Sequence, residues 1–321
     1  MITVGLIGTG YAAKRRAEAF QNSSLSDLIA VVGNSAENTQ SFCDNYQIKS
    51  FSTWQELVND SSIDLVCICN VNRDHGSIVR GALLANKHVI VEYPLTLNPL
   101  EAEDLIQLAQ EKQKLLHVEH IEILGGVHQA LKQHLPAIGN PFLARYSTIL
   151  AKEKVTPHWT YHYDYYGFPL MAAVSRINRF TDLFGEVDLV NCNARFWDAS
   201  EVGYFSACWC QAQILFKNEM MVTITYGKGN QFKNSDRTLE VYGDKGKIVF
   251  EGEKGKIITA EEEIEIEVGT RRGLFVQDTE IVLEHLTTGK PLYIDNRASA
   301  YSLKVAGATL QSYQNKQSIK L

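Results

Sequence analysis

The feature that most constrains this chain is a glycine motif that directly follows an apolar run at residues 2–7. The motif reads Gly8-Thr9-Gly10-Tyr11-Ala12-Ala13, which is G-x-G-x-x-A between a predicted strand and a predicted helix. Its glycines permit a tight turn and the close approach of a pyrophosphate, and Ala13 lets the helix pack against the strand. Since the free N–H groups of a helix N-terminus attract phosphate, we expect residues 8–12 to bind a dinucleotide.

The remaining elements predict two domains of different architecture. Apolar runs at 2–7, 28–32, 65–69, 88–92 and 115–120 alternate with helical patterns, which is typical of an α/β Rossmann domain with a doubly wound parallel sheet. After residue 122 the strands alternate polar and apolar residues, and helical patterns interrupt them near 125–135, 169–184, 273–287 and 297–314. We therefore predict a nucleotide-binding domain over 1–122. An α+β substrate domain on a large open antiparallel sheet is predicted over 123–321, with a final helix able to pack back on the first domain.

Composition and charge exclude several classes of function. The 321 residues carry a formal net charge of −6, which gives no support to a nucleic-acid partner. No apolar run is long enough to span a membrane, and the chain opens on a strand rather than a secretory signal, so we expect a cytoplasmic protein. Two C-x-C pairs among the six cysteines lie in apolar surroundings, which favours buried free thiols over a zinc site, and no metal is predicted.

The end of the second predicted strand favours NADPH over NADH. An acid at this place would bind the ribose 2′-hydroxyl of NAD, but the chain reads Gly33-Asn34-Ser35, with no acid before Glu37. Asn34 and Ser35 can donate hydrogen bonds to a 2′-phosphate, and the run Lys14-Arg15-Arg16 adds positive charge nearby. The alternative for this run is a solvated helix face. We predict NADPH (NADP+) as the cofactor.

Segments after the third and fourth strands resemble the glucose–fructose oxidoreductase and inositol dehydrogenase family. Asn72 and His75 match its T-P-N-x-x-H segment, and Glu92-Tyr93-Pro94 stands where the family has Glu-Lys-Pro. The resemblance spans nearly the whole chain, including the C-terminal run TTGKPLYIDNRASAYSLKVAGA. It implies a nicotinamide cofactor that is also contacted by Asn70, Val71, Asn72, His75, Glu92 and Tyr93.

The groups that oxidise alcohols in that family are replaced in this chain. Its sugar dehydrogenases use the lysine of Glu-Lys-Pro, and an aspartate and a histidine in a D-x-x-x-H segment of a second-domain helix. The corresponding residues here are Tyr93, Ala172 and Arg176. Because arginine stays protonated near neutral pH, it cannot serve as an ordinary base. Alcohol oxidation by the family route is therefore not expected.

Three segments are similar to those of the biliverdin reductases, above all their cyanobacterial branch. Residues 91–97 (VEYPLTL) resemble E-Y-P-M/L-x-L, and residues 116–122 (LHVEHIE) resemble L-H-x-E-H-x-E-L. The third segment comprises Gly167-Phe168-Pro169, then Ser175-Arg176, then Leu183-Phe184-Gly185. The resemblance implies an oxidoreductase that reduces biliverdin, a linear tetrapyrrole, to bilirubin with NADPH. It suggests a monomer, whereas the wider family often forms homodimers through the open sheet.

The implied reaction sends hydride to the central methine bridge of the tetrapyrrole and a proton to a pyrrole nitrogen. A fixed cation near the developing negative charge would stabilise the transition state. We assign this catalytic role to Arg176, with a surface arginine or an internal ion pair as the alternative. Tyr93 is the second catalytic candidate, because it would lie near the nicotinamide, and packing alone is its alternative.

Further substrate contacts are predicted after the fifth strand and in an aromatic run at residues 158–168. Aromatic side chains would stack on a flat conjugated substrate, unless they form core or interface, and the polar residues would line a cleft, unless they merely end a strand. The predicted substrate-binding residues are Glu119, His120, Trp159, Phe168, Arg176 and Arg179. Candidate cations for the two propionates, which the sequence does not rank, are Arg179, Lys228, Lys233, Arg237, Arg271 and Arg272.

Two other functions remain open at this point. One is an NADP-dependent sugar or cyclitol dehydrogenase. The other is a catalytically inactive NADP-binding regulator of the same fold, in which the altered catalytic positions mark lost activity. Asn72, Glu92 and the aromatic run argue against the regulator.

Overall fold

The computed structural model describes all residues, Met1–Leu321, as two compact units. The first comprises Met1–Ile121 and Gly273–Ala300, and the second comprises Glu122–Arg272 and Tyr301–Leu321. The sequence places residues 273–300 in the second domain, whereas their contacts assign them to the first unit. Val282 and Leu283 of this segment pack into the apolar core of the first unit, and Asp278 pairs with the buried Arg16.

The first unit is built on a parallel sheet with the strand order β3-β2-β1-β4-β5-β6. Its elements up to β6 are β1 (Ile2–Ile7), α1 (Tyr11–Asn22), β2 (Ser26–Val32), α2 (Ala36–Tyr46), β3 (Lys49–Ser50), α3 (Trp54–Asn59), β4 (Leu65–Ile68), α4 (His75–Leu84), β5 (His88–Val91), α5 (Pro99–Glu111) and β6 (Leu116–Val118). The predicted Rossmann sheet is confirmed. Strand β3 was not predicted, because two polar residues show no periodicity.

The apolar runs lie in the middle of this sheet. All residues of β4 are buried, as a parallel sheet covered on both faces requires. Ala13, Ala17 and Phe20 of α1 pack into the same core. The strand order reverses between β1 and β4, and ligands bind outside the carboxyl ends of the strands at such a point.

The rest of the chain forms the second unit and the last helix of the first. Its elements are α6 (Ile121–Leu124), α7 (Gly126–His134), β7 (Pro141–Ala151), α8 (Tyr163–Tyr166), α9 (Pro169–Ala172), α10 (Ser175–Phe184), β8 (Val187–Asp198), β9 (Phe205–Phe216), β10 (Met221–Gly229), β11 (Asp236–Gly243), β12 (Gly246–Glu251), β13 (Lys254–Thr259), β14 (Glu263–Ile266), α11 (Leu274–Thr288), α12 (Asn296–Asn315) and β15 (Ile319–Lys320). Helix α11 belongs to the first unit, and α12 crosses the division near its start.

The second unit has a nine-stranded sheet in the order β14-β13-β12-β11-β7-β10-β9-β8-β15. The large open sheet is as predicted, but it is mixed rather than wholly antiparallel, because β7 and β10 run parallel. Antiparallel neighbours can be joined by a hairpin, whereas parallel ones need a crossover. Here α8, α9 and α10 carry the chain away from β7, and two antiparallel steps through β8 and β9 bring β10 back beside it.

Candidate active site

The glycine motif leaves room for a phosphate group at the start of α1. Gly8 has φ +117°, and a Cβ there would lie 2.3 Å from the Cys69 carbonyl oxygen, so only glycine fits. At Gly10, which precedes the helix, a Cβ would meet no atom within 4 Å. No side chain caps α1, so the N–H groups of its first turn, beginning at Tyr11 and Ala12, remain for an anion. The loop through Thr9 therefore fits a pyrophosphate.

The end of β2 also fits an anion. Asn34 and Ser35 are exposed, and no carboxylate lies between the end of β2 and Glu37. The Ser35 Oγ accepts a hydrogen bond from the Asn38 N–H at 3.2 Å and so caps α2. The Ser35 hydroxyl can still donate its own hydrogen, and the positive end of α2 favours negative charge. Both features suit the predicted 2′-phosphate.

The basic run after the motif divides between surface and interior. Lys14 and Arg15 are exposed. Arg16 is fully buried, with its Nε 2.9 Å from the Glu92 Oε1 and a second ion pair to Asp278. The interpretation of Arg16 as a charge near the cofactor phosphate is therefore wrong. The Arg16 side chain lies in the interior of the unit, where it pairs with both carboxylates.

A buried histidine fixes the loop after β4. The His75 Nδ1 lies 2.7 Å from the carbonyl oxygen of Pro94, and its Nε2 lies 3.2 Å from that of Asn70. Burial lowers the pKa of His75, so the ring is neutral and donates to one of the two carbonyls. His75 thus joins the loops that follow β4 and β5, and a cofactor contact would come from the backbone it positions.

Asn70, Val71 and Asn72 lie at the same strand end. The Asn70 Oδ1 is buried and has no hydrogen-bond partner, which costs free energy unless a ligand or water satisfies it. Asn72 is almost fully buried, whereas Val71 is half-buried. A donor group on a nicotinamide nucleotide would satisfy the Asn70 oxygen, so this loop also fits the cofactor.

Glu92 and Tyr93 follow β5. The Glu92 carboxylate accepts a hydrogen bond from the Arg16 Nε, which fixes its position. The Tyr93 ring stacks on the His120 ring, with 6.0 Å between centroids and 10° between planes. Both Glu92 and Tyr93 are half-buried, so each keeps surface for a ligand.

Glu119 and His120 follow β6 and are each 1% exposed. Burial, reinforced by the charges of Glu92 and Asp278, raises the pKa of Glu119 well above its usual range. Burial also lowers the pKa of His120 to about 3, and its Nε2 lies 2.8 Å from the Ser299 Oγ. His120 is therefore uncharged near neutral pH, and the contact of both residues with substrate stays a prediction.

The buried ion network of the first unit was not predicted. Besides Arg16, Asp278 on α11 meets the His117 Nε2 at 2.8 Å and the Tyr293 hydroxyl at 2.7 Å. Although burial opposes ionisation, Arg16 and His117 hold the pKa of Asp278 well below its usual range. Arg16 and Asp278 are 262 residues apart, so no local pattern could reveal the pair.

Helix α10 of the second unit carries both predicted arginines. Arg176 and Arg179 are three residues apart and therefore lie on one side of the helix. The guanidinium carbon of Arg176 lies 5.5 Å from the ring centroid of Tyr226, and that of Arg179 lies 5.7 Å from the ring centroid of Tyr146. Ala172, at the position of the family's aspartate, is buried. The chain thus has a cation, Arg176, where the sugar dehydrogenases carry their histidine, and an alanine where they carry their aspartate.

Glu122 forms ion pairs with arginines from distant parts of the chain. Its Oε2 lies 3.2 Å from the Arg179 Nη2 and 3.3 Å from the Arg237 Nη2, and its Oε1 pairs with Arg271. Although burial opposes ionisation, Arg271, Arg179, Arg176 and Arg237 lower the pKa of Glu122. We call these four arginines the arginine cluster. Among the candidate cations for the propionates, the structure thus brings Arg179, Arg237 and Arg271 together.

The aromatic run packs largely inside the second unit. Tyr161 and Tyr166 are buried and contact Phe205. The Lys228 Nζ lies 3.4 Å from the ring centroid of Tyr166, and burial lowers the pKa of Lys228 to about 7. Lys228 is therefore enclosed by aromatic rings and is a poor candidate for a propionate.

Trp159 and Phe168 differ in what they leave accessible. Trp159 is half-buried, and its ring centroid lies 6.3 Å from that of Tyr166. Phe168 is 8% exposed and stacks on Tyr313 at 5.6 Å. Trp159 is therefore better placed to meet a ligand, while substrate contact at both residues stays a prediction.

Three general features complete the description of the site and its setting. No group of three or more His, Cys, Asp or Glu side chains is arranged to hold a metal ion. None of the helices combines the length and the apolar character that crossing a membrane demands. All six cysteines are free thiols, as predicted.

Comparisons with known proteins cover almost the whole chain. The model of the oxidoreductase family with an NAD-binding Rossmann fold matches residues 2–120, and that of the family's C-terminal alpha/beta domain matches residues 132–321. The crystal structure of biliverdin reductase from Synechocystis sp. PCC 6803, in complex with biliverdin and NADP+, has a TM-score of 0.96 and 51% identity. That match covers 98% of this chain and 99% of the other.

More distant relatives agree with this result. Biliverdin reductase A of Mus musculus is 25% identical over 285 residues, which are 88% of this chain and 85% of the relative. The structure of UDP-N-acetylglucosamine 3-dehydrogenase from Acidithiobacillus ferrooxidans has a TM-score of 0.80 and 18% identity, over 98% of both chains. That last likeness shows the fold alone.

Proposed function

This chain belongs to the oxidoreductase family with an NAD-binding Rossmann fold, and from that premise we propose that it reduces biliverdin to bilirubin with NADPH. The observation that carries the proposal is the 51% identity to the Synechocystis biliverdin reductase over 98% of this chain. The substitutions at Tyr93, Ala172 and Arg176 support it, because they remove the family's groups for deprotonating an alcohol and leave a cation.

NADPH supplies the hydride when bound, and the first unit offers the groups to hold it. Residues 8–12 receive the pyrophosphate on the N-terminus of α1. Asn34 and Ser35, without an adjacent acid, accept the 2′-phosphate of the cofactor. The buried Asn70 Oδ1 and the fixed Glu92 carboxylate would bind donor groups at the nicotinamide end.

Arg176 is the catalytic residue of the proposal. As hydride reaches the central methine bridge of biliverdin, negative charge builds on the pyrrole nitrogens until one of them takes a proton. A guanidinium fixed over Tyr226 would stabilise that charge, and its half-buried position leaves surface for the substrate. Tyr93 is proposed to bind beside the nicotinamide and to shape the pocket for the tetrapyrrole.

The setting of the reaction is also a proposal. We place the protein in the cytoplasm, since six free cysteines suit a reducing compartment. It would act as a monomer or a homodimer on a small molecule, without a nucleic-acid or membrane partner. Residues 1–122 would bind the cofactor, and residues 123–321 would supply the arginines that contact the bilin.

The test mixes the purified protein with NADPH and biliverdin and follows the visible spectrum. We expect the biliverdin band to fall as the bilirubin band rises, at a rate proportional to enzyme concentration. Reduction of NADP+ by polyols without bilin turnover would favour the dehydrogenase alternative. Cofactor binding with no turnover of either substrate class would favour the inactive regulator, and each of these results would overturn the proposal.

A further inference from the structure

The charges of the arginine cluster do not balance. The guanidinium groups of Arg179, Arg237 and Arg271 pair with the single carboxylate of Glu122, and the charge of Arg176 also lowers its pKa. The three ion pairs leave a surplus of two positive charges, which is unfavourable where water is partly excluded unless an anion approaches, because like charges repel there. The imbalance therefore indicates that a negatively charged ligand completes the cluster.

The hydrogen bonds of the cluster are also incomplete. Arg179 is 2% exposed, yet its Nε and Nη1 have no hydrogen-bond partner. Its third nitrogen reaches Glu122 at 3.2 Å. Buried donors without acceptors cost free energy, and a planar guanidinium matches the two oxygens of a carboxylate. The unused donors of Arg179 thus point to the same class of ligand as the surplus charge.

Exposure grades across the cluster in the way a binding site requires. The side chain of Arg179 is 2% exposed, that of Arg237 is 31% exposed and that of Arg271 is 41% exposed, while Glu122 itself is 12% exposed. Arg237 and Arg271 can therefore exchange partners at the surface, whereas Arg179 is fixed on α10. If the carboxylate of a ligand replaces that of Glu122, the number of ion pairs stays nearly constant.

We infer that the arginine cluster binds a carboxylate group of the substrate, and that Glu122 occupies this carboxylate position until substrate arrives. The inference rests on the proposed function, because biliverdin carries two propionates. It assigns Glu122 as a competing internal anion and Arg179, Arg237 and Arg271 as residues that select a substrate for its acidic side chains.

The first test compares biliverdin with its dimethyl ester, which keeps the conjugated system and loses both charges. Each is titrated against the NADP+-bound protein, and each is assayed with NADPH. We expect the ester to bind the wild type about tenfold or more weakly, since a charge-assisted pair is lost. Equal dissociation constants for the acid and the ester would overturn the inference, and the proposed function would still stand if biliverdin is reduced.

Variants locate the effect. Arg271→Gln should weaken binding of the acid about tenfold and leave binding of the ester unchanged. Lys254→Gln is the control, because Lys254 is an exposed cation of the second unit outside the cluster. Glu122→Gln should tighten binding of the acid several-fold without tightening that of the ester. Weaker binding of both ligands by Glu122→Gln would mean that Glu122 only holds the fold together, which contradicts its assignment as a competing anion.

The assay separates this inference from the proposed function. If biliverdin is not reduced but binds more tightly than its ester, and Arg271→Gln removes the difference, the inference stands and the function fails. If neither ligand binds, both fail. Thermal unfolding of each variant without ligand confirms that the compared proteins are folded.

Discussion

Each unit contains one buried charged group that is paired with several groups of the opposite charge. The central group is a cation in the first unit and an anion in the second. In the first unit one guanidinium, Arg16, lies between the carboxylates of Glu92 and Asp278. In the second unit one carboxylate, Glu122, lies among three guanidinium groups. Both arrangements join segments far apart in the sequence.

The difference between them is the sign of the excess charge and its exposure. Burial and the charges of Glu92 and Asp278 raise the pKa of the nearby Glu119 carboxyl group. The first network has two carboxylates around one guanidinium, and its Arg16 and Asp278 side chains are fully buried. The second keeps a surplus of positive charge and exposed members, so it is suited to receive an anion.

The largest expected effect is on the stability of the buried network of the first unit. Asp278→Asn keeps the shape of the side chain but removes the charge that faces the fully buried Arg16. Breaking a buried pair in this way costs about 3 kcal/mol or more, and we expect Tm to fall by roughly 6 °C or more. Differential scanning calorimetry at neutral pH measures the change.

The control for this prediction is the exposed ion pair between Glu284 of the same helix and Lys290, which lies just beyond it. The Lys290 Nζ lies 2.6 Å from the Glu284 Oε2, and both side chains are more than a third exposed. Glu284→Gln should change the free energy of unfolding by less than about 1 kcal/mol. Equal losses from the two variants would mean that burial does not distinguish the first network from a surface pair.

The next effect concerns the open cluster and the rate of the reaction. Arg176→Ala should lower kcat about 100-fold, because loss of a donor aimed at developing charge costs about 3 kcal/mol. Arg176→Lys should recover part of the rate by keeping the charge. Steady-state assays with NADPH and biliverdin give kcat and KM separately, and a kcat near the wild-type value in Arg176→Ala would remove this residue from catalysis.

The sequence predicted the nucleotide-binding fold well because its signals are local. The strand before Gly8, the glycine spacing and the buried run at residues 65–69 each report their structure within a few residues. Arg176 could be singled out in the same way, from its place in a short segment. The parallel pairing of β7 with β10 could not, since it depends on the path of the chain between them.

The charge networks could not be predicted either, because their members lie far apart in the sequence. Glu122 is separated from Arg179, Arg237 and Arg271 by 57, 115 and 149 residues. In a chain with 31 lysines and arginines, no local pattern says which cations meet one carboxylate. The sequence therefore offered six candidate cations for the propionates, and only the folded chain grouped three of them.

Lys228 is a further buried cation, and it differs from the two networks because it has no carboxylate partner. Burial, reinforced by Lys152 and Arg176, lowers the pKa of Lys228 from 10.5 to about 7. The folded protein then binds fewer protons than the unfolded chain between these values, so this group makes the protein more stable as pH rises through 7. From about pH 6 to about pH 9 the gain should be roughly 2.5 kcal/mol.

Thermal unfolding across this pH range checks the prediction for Lys228. Lys228→Met should lack this gain. When the pH falls from about 9 to about 6, the variant should therefore lose less stability than the wild type. Lys233→Met replaces an exposed lysine and should keep the wild-type profile. Identical profiles for the wild type and Lys228→Met would show that the buried lysine does not titrate in this range.

The smallest expected effect is on the choice of cofactor. It is tested by adding a charge to the first unit outside its buried network. Asn34 is exposed beyond β2, where a carboxylate would repel a 2′-phosphate and accept the ribose hydroxyls of NADH. Asn34→Asp should lower kcat/KM for NADPH about tenfold, which corresponds to about 1.4 kcal/mol, and should raise that for NADH. Glu37→Gln, in the first turn of α2, is the control and should change the NADPH-to-NADH ratio little. Because Asn34 lies apart from Arg16, Tm should not move. A fall in Tm together with an unchanged cofactor ratio would mean that the end of β2 serves the fold rather than the choice of cofactor.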